Sequence, residues 1–114
     1  MVKATFCTSP AIKNTWNNLF LEIMGTFILI LSIFMFGATA LGNLNPLAVS
    51  LVVLGIGLCL GVTTGYAINP ARDFGLRIIY WVLYKKFDKS YFWIPIAGPI
   101  IGSLFATFIY ILIK

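Results

Sequence analysis

The chain has 114 residues, of which 61% are hydrophobic and 10% charged, and a formal net charge of +5. A soluble domain carries about 25% charged residues, so this composition, with a mean hydropathy of +1.00 and several long apolar runs, indicates a multi-pass integral membrane protein of a cell or inner membrane. The absence of His and of any acid pair removes the usual acid–base groups and metal ligands; no enzyme activity, metal or other cofactor is expected, and the surplus lysines read as membrane flanks rather than as a nucleic-acid surface.

Residues 1–16 are polar and irregular and read as a surface loop segment, without signal-peptide architecture. Asn14 or Thr15 is placed to cap the helix that follows. Cys7 and Cys59 are too far apart for metal or redox spacing and read as two unpaired thiols. Residues 17–40 form the first expected transmembrane helix, with Trp16 at its interfacial end. Glu22 lies about a turn and a half inside it, where a carboxyl cannot face lipid cheaply. It is either a pore-lining or proton-handling acid or a structural acceptor for the backbone N–H groups of a loop. With no second acid or His beside it, the acceptor reading is favoured.

Residues 41–46 read as a turn, and residues 47–62 as the second transmembrane helix, opened by Pro46. Gly57, Gly61 and Gly65 recur every fourth residue, a spacing that lets helix backbones approach. Gly61 is expected to serve such packing; Gly57 either does the same or leaves space beside a pore.

The stretch Thr64-Gly65-Tyr66-Ala67-Ile68-Asn69-Pro70-Ala71-Arg72-Asp73-Phe74-Gly75 then breaks the apolar pattern. An arginine facing lipid at bilayer depth costs about 2.5–3.5 kcal/mol, so Arg72 and Asp73 must face protein or a wet cavity. Asn69-Pro70 is a helix start: Asn caps, and Pro suits the first helical position. Asp73 falls in the first turn, where a carboxylate complements the helix dipole. As one helix, residues 47–84 would run about 57 Å, nearly twice the roughly 30 Å hydrocarbon core. A span followed by a half-span fits better. Residues 63–69 are expected as a re-entrant loop, reaching roughly 23 Å when extended, and residues 70–84 as a half-helix of about 22 Å. Backbone at that depth must line a cavity, which makes 63–69 an expected pore wall. Asp73 and Arg77, four apart, can pair, leaving Arg72 on another face as the free cation.

Residues 85–90 read as an aqueous loop and Tyr91-Phe92-Trp93 as an interfacial belt. The last transmembrane helix is expected over 92–113, with Pro95 in its first turn. Pro99 should either kink it or mark its true start. Gly98, Gly102 and Ala106 form a second small-residue stripe. The expected fold is an all-α membrane protein, a single membrane domain over 1–114, with three transmembrane helices plus one re-entrant half-helix. That is the layout of one half of an inverted-repeat protein.

The block from Gly65 to Gly75 resembles the second Asn-Pro-Ala signature of the major intrinsic proteins. Nearly the whole chain resembles the C-terminal half of an aquaglyceroporin, or glycerol facilitator. Asp73 after the arginine, Arg77 four on, and Pro95-Ile96 resemble the glycerol-conducting branch; Phe6-Cys7-Thr8-Ser9-Pro10 resembles a segment of the loop before this half. The resemblance implies half of an aquaporin-like fold and a passive channel for glycerol and other small neutral solutes, water included. It implies roles as well. Asn69, Pro70 and Ala71 would form the signature, and the Asn69 amide would meet a passing hydroxyl. Arg72 would form the polar edge of a selectivity filter, Tyr66 its aromatic side, and Gly57 the small position that leaves room for a carbon backbone. Glu22 and Arg77 would support the pore loop. Tyr66 departs from the Phe usual in the branch.

The family pore has six spans and two half-helices, so the expected partners are the lipid bilayer, a small polyol such as glycerol, water, and a complementary N-terminal half or other protomers. The alternative is a truncated, non-conducting remnant or an interaction subunit of a membrane complex. Lys3, Lys13, Lys85, Lys86 and Lys89 fall on one side and Lys114 on the other, which predicts inverted insertion if the chain inserts alone; labelling at Cys7 would read it.

Overall fold

The computed structural model describes residues 7–86 and 88–114. Four α-helices account for most of them, and no strand occurs among the described residues. Helix α1 spans Thr15–Gly37. It starts where it does because Asn14, in extended conformation, turns its side chain to accept the Asn17 N–H at 3.1 Å. A short 3-10 turn, Gly42–Leu44, leads into α2 at Asn45–Thr64, with Pro46 in the first turn, where no N–H is needed.

Helix α2 ends at Gly65, whose φ of 79° is left-handed. A Cβ there would also stand 2.9 Å from the Thr8 Cβ, so only glycine meets both demands. Helix α3 spans Pro70–Tyr84, and α4 spans Ile94–Ile113. Three helical stretches, Thr15–Gly37, Gly42–Thr64 and Ile94–Ile113, are long and apolar enough to cross a membrane. At 15 residues, α3 is about 22 Å long and too short to do so.

Several expected boundaries move. Thr15 and Trp16 belong to α1 rather than to the leading loop, and residues 38–40 are a turn rather than helix. Of the turn expected over 41–46, Asn45 and Pro46 already belong to α2, and Thr63 and Thr64 complete α2 rather than opening the loop. Phe92 and Trp93 precede α4. Pro99 lies inside α4 and does not start it; having no N–H, it leaves the Pro95 carbonyl without its helical donor. Nor is the leading segment all surface. Cys7 is 3% exposed, which makes it a poor site for reading orientation by labelling. Phe6 and Lys3 lie outside the described residues.

The helices are neighbours in the order α2, α1, α4, α3, and each touches at most two others. The closest seam joins α1 to α4. A Cβ on Gly98 would stand 2.6 Å from the Glu22 Cβ, and one on Gly102 would collide with the Ile23 carbonyl oxygen. Ala106, fully buried, continues the stripe, and Phe34 stacks on Tyr110 at 4.9 Å between centroids. Without these small residues the two backbones could not approach, and close approach is what holds helices together where lipid supplies no hydrophobic drive. On the other side, Gly25 of α1 meets Ile56 and Leu60 of α2 and Ile68 of the following loop. The seam therefore positions one object: the five-residue loop 65–69, laid over the middle of α1.

Candidate functional site

The loop is built from hydrogen bonds that pull its backbone in two directions. The Thr64 hydroxyl accepts the Tyr66 N–H at 3.0 Å. The two carboxylate oxygens of Glu22 accept the next two N–H groups, Ala67 and Ile68, each at 2.9 Å. Glu22 is 1% exposed, so these bonds satisfy a charge that lipid or apolar packing would not. In a trans peptide the N–H and C=O point opposite ways, and no peptide here is cis. Drawing the Ala67 and Ile68 N–H groups toward Glu22 therefore turns the Tyr66 and Ala67 carbonyls to the far side. The residues on either side of Ala67, Tyr66 (φ 38°) and Ile68 (φ 42°), are left-handed. Such conformations cost about 1–3 kcal/mol each for a side-chain-bearing residue. The buried carboxylate holds them.

Asn69 ends the loop and caps α3. Its side-chain oxygen accepts the N–H groups of Ala71 at 2.9 Å and Arg72 at 3.4 Å, which fixes the amide group with its NH2 free to donate. Arg72 turns back over the loop. One guanidinium nitrogen donates to the Tyr66 carbonyl at 2.9 Å, and the guanidinium carbon sits 5.0 Å from the Tyr66 ring centre, a cation–π geometry.

The Tyr66 ring lies on α2. A Cβ on Gly57 would stand 3.4 Å from ring atoms Cε2 and Cζ, and one on Gly61 would stand 3.0 Å from Cδ1. The two glycines thus seat the aromatic ring. Among the described residues, what meets a Cβ on Gly61 is the Tyr66 ring and not the neighbouring helix expected there; the space beside Gly57 likewise holds the ring. No spacing rule finds this, because the ring arrives from beyond the end of α2.

The other charged pair faces away. Arg77 Nε meets Asp73 Oδ2 at 2.7 Å, and Nη2 meets Oδ1 at 2.9 Å, with both residues buried. Asp73 also accepts the Thr8 N–H at 2.7 Å and the Thr8 hydroxyl, while Arg77 Nη2 donates to the Thr8 carbonyl at 2.9 Å. The Tyr91 hydroxyl donates to the Thr64 carbonyl. The segment around Thr8 is thereby pinned onto α3, and the end of α2 onto the approach to α4. Thr8, Thr64 and Tyr91 were not singled out by sequence. The demand of a buried carboxylate and guanidinium for more partners than one another was the available signal for Thr8.

Between loop and helices lies a groove of about 500 Å³. Tyr66, Asn69 and Arg72 supply its polar rim, and Leu29, Ile30 and Val53 an apolar wall. The structure thus brings Tyr66, Asn69, Pro70 and Arg72 together at one groove. Glu22 stands behind the loop, Gly57 beneath the ring, and Asp73 and Arg77 on the opposite side of α3; Ala71 is exposed next to the groove. Thr26 and Ser103, which sequence did not single out, add hydroxyls to the lining.

The family model described as major intrinsic protein matches residues 1–110. The chain is 47% identical over 114 residues to the glycerol uptake facilitator protein of Streptococcus pneumoniae serotype 4, covering 96% of this chain and 49% of that protein. It is 47% identical over 112 residues to the probable glycerol uptake facilitator protein of Thermotoga maritima, covering 94% and 48%. The figures for the glycerol uptake facilitator protein of Bacillus subtilis are 44% over 110 residues, 92% and 40%. The chain spans about half the length of the curated relatives it matches.

Proposed function

The chain belongs to the major intrinsic protein family, and from that premise we propose that it forms one half of a passive channel for glycerol and other small neutral solutes, water included. The observation that carries the proposal is the groove: an Arg72 guanidinium, an Asn69 amide and a turned-out run of backbone carbonyls facing an apolar helix wall. A polyol has C–H groups on one side and hydroxyls on the other, and this surface matches both. Hydroxyls exchange donors and acceptors along Arg72, the Tyr66 and Ala67 carbonyls and Asn69, while carbons slide past Leu29, Ile30 and Val53. The positive tip of α3 and Arg72 oppose cations, the electrostatic barrier general to such pores. In this reading α3 is the re-entrant half-helix, and Tyr66, seated on Gly57 and Gly61, sets the filter's width. The open side of the groove faces a complementary half, on the same polypeptide or on another.

Glycerol uptake by vesicles carrying this chain, with and without a complementary half, tests the proposal. Uptake is expected when the groove is completed. Arg72→Ala in the completed pore should then admit larger solutes and ions. Unchanged selectivity would remove Arg72 from the filter, and no uptake in either preparation would leave a non-conducting interaction subunit.

A further inference from the structure

Two of the groove's polar residues sit at opposite ends of one short loop. Tyr66 follows Gly65, where α2 ends, and Arg72 lies in the first turn of α3, beyond Asn69. The Arg72 guanidinium crosses that gap to the Tyr66 carbonyl at 2.9 Å. A side chain has a fixed reach, so the separation of the loop's ends decides whether the two groups meet. Glu22 does not set that separation. It grips the middle of the loop, at the Ala67 and Ile68 N–H groups.

Thr8 spans the same gap one residue further out on each side. At one end, its Cβ and Cα lie 2.9 and 3.3 Å from where a Cβ on Gly65 would stand, so the strap of Thr8 and Ser9 rests against the end of α2. At the other end, its N–H donates to Asp73 Oδ1 at 2.7 Å and its hydroxyl donates to the same oxygen. Its carbonyl accepts from Arg77 Nη2 at 2.9 Å. Asp73 is buried, and a buried carboxylate has no solvent to turn to when a donor is withdrawn. Tyr91 joins the same neighbourhood: its hydroxyl donates to the Thr64 carbonyl, and its ring centre lies 5.8 Å from the Arg77 guanidinium carbon. The fold therefore does not hang on Thr8 alone.

We infer that Thr8 is a positioning residue for the groove, a strap that fixes the distance between the ends of loop 65–69 and so keeps Arg72 on the Tyr66 carbonyl. Binding groups need holding to within about 0.5 Å. The left-handed residues Tyr66 and Ile68 are strained hinges that relax if the ends part. Discrimination among polyols, which rests on the channel reading, then depends on a residue outside the groove's lining.

The test is amide hydrogen exchange of the full chain in bilayers. Thr8→Val keeps the shape and the backbone bonds but loses the hydroxyl; Thr8→Ser keeps the hydroxyl. In Thr8→Val the N–H groups near the loop's ends, Tyr66 and Ala71, should exchange about ten- to a hundredfold faster than in the parent, the weight of one hydrogen bond to a charged group. Ala67 and Ile68, held by Glu22, should change little, and Thr8→Ser should match the parent throughout. In a channel completed by a complementary half, Thr8→Val should shift the uptake ratio of glycerol to a longer polyol severalfold, and Thr8→Ser should not. Should Thr8→Val fail to fold, Thr8→Cys, whose thiol is a weak donor, takes its place. End amides as protected in the variant as in the parent, a rise shared equally by the loop and the middle of α1, or an unchanged ratio in a conducting variant would overturn the assignment. A completed parent that conducts nothing would sink the channel reading alone, because the exchange pattern needs no conduction and still decides the role of Thr8.

Discussion

Glu22→Gln isolates the bond pair on which the loop depends. The replacement has nearly the same shape and leaves the α1–α4 seam at Gly98 and Gly102 untouched. It exchanges one acceptor oxygen for an NH2 that faces a donor, so either the Ala67 or the Ile68 N–H loses its partner. A hydrogen bond to a charged group contributes about 1.5–3 kcal/mol, and the surviving bond, now neutral, is worth about half that. The loop should lose about 2–4 kcal/mol, while the left-handed strain at Tyr66 and Ile68 remains to be released. That shifts the balance between ordered and opened loop by roughly thirty- to a thousandfold. Amide hydrogen exchange in bilayers reads it directly: Ala67 and Ile68 should lose protection by that factor while the middle of α1 keeps its own. If both amides stay as protected in the variant as in the parent, the carboxylate is not what holds the loop, and the account of the turned-out carbonyls fails with it.

Gly61→Ala places a methyl 3.0 Å from the Tyr66 ring; the ring must shift, at about 1–3 kcal/mol, and in a completed channel the uptake ratio of glycerol to a longer polyol should change severalfold. Asp73→Asn leaves a buried guanidinium without its counter-charge, a loss of about 3–5 kcal/mol; the melting temperature should fall, and Cys7, buried in the parent, should become reactive toward a thiol reagent. Burial first, and the nearby charge of Glu22 second, push the Tyr91 phenol well above its ordinary value of 10.0. The folded protein thus keeps Tyr91 protonated while the unfolded chain would ionise it, so its contribution is intact below about pH 10 and is lost as pH rises further. Denaturation midpoints measured on both sides of pH 10 should show that alkaline loss in the parent and less of it in Tyr91→Phe.

What could be read from the sequence was local. The start of α3 is legible in Asn69-Pro70 because the cap's side chain and the proline's missing N–H act within a single turn. The Asp73–Arg77 pair follows from helical spacing alone. The end of α2 was less legible: length arithmetic put Thr63 and Thr64 in the loop, yet Thr63 donates back to the Leu60 carbonyl at 2.9 Å and stays helical. The seat of Tyr66 on Gly57 and Gly61 was hidden for a different reason. Glycines at every fourth position announce that something comes close without naming what does, and here a side chain does so instead of a helix. The Thr8–Asp73 contact spans 65 positions of sequence; nothing in a short window bears on it.

Because the helices follow one another as α2, α1, α4, α3 with none enclosed, the molecule has almost no interior of its own. Among the described residues only a handful of apolar side chains are buried. In the half-channel reading, folding and association merge into a single equilibrium, as in assemblies whose protomers have no stable separate state. Dilution in lipid should act on this protein as a denaturant acts on a soluble one: its unfolding midpoint becomes a function of how many copies, or complementary halves, share each vesicle.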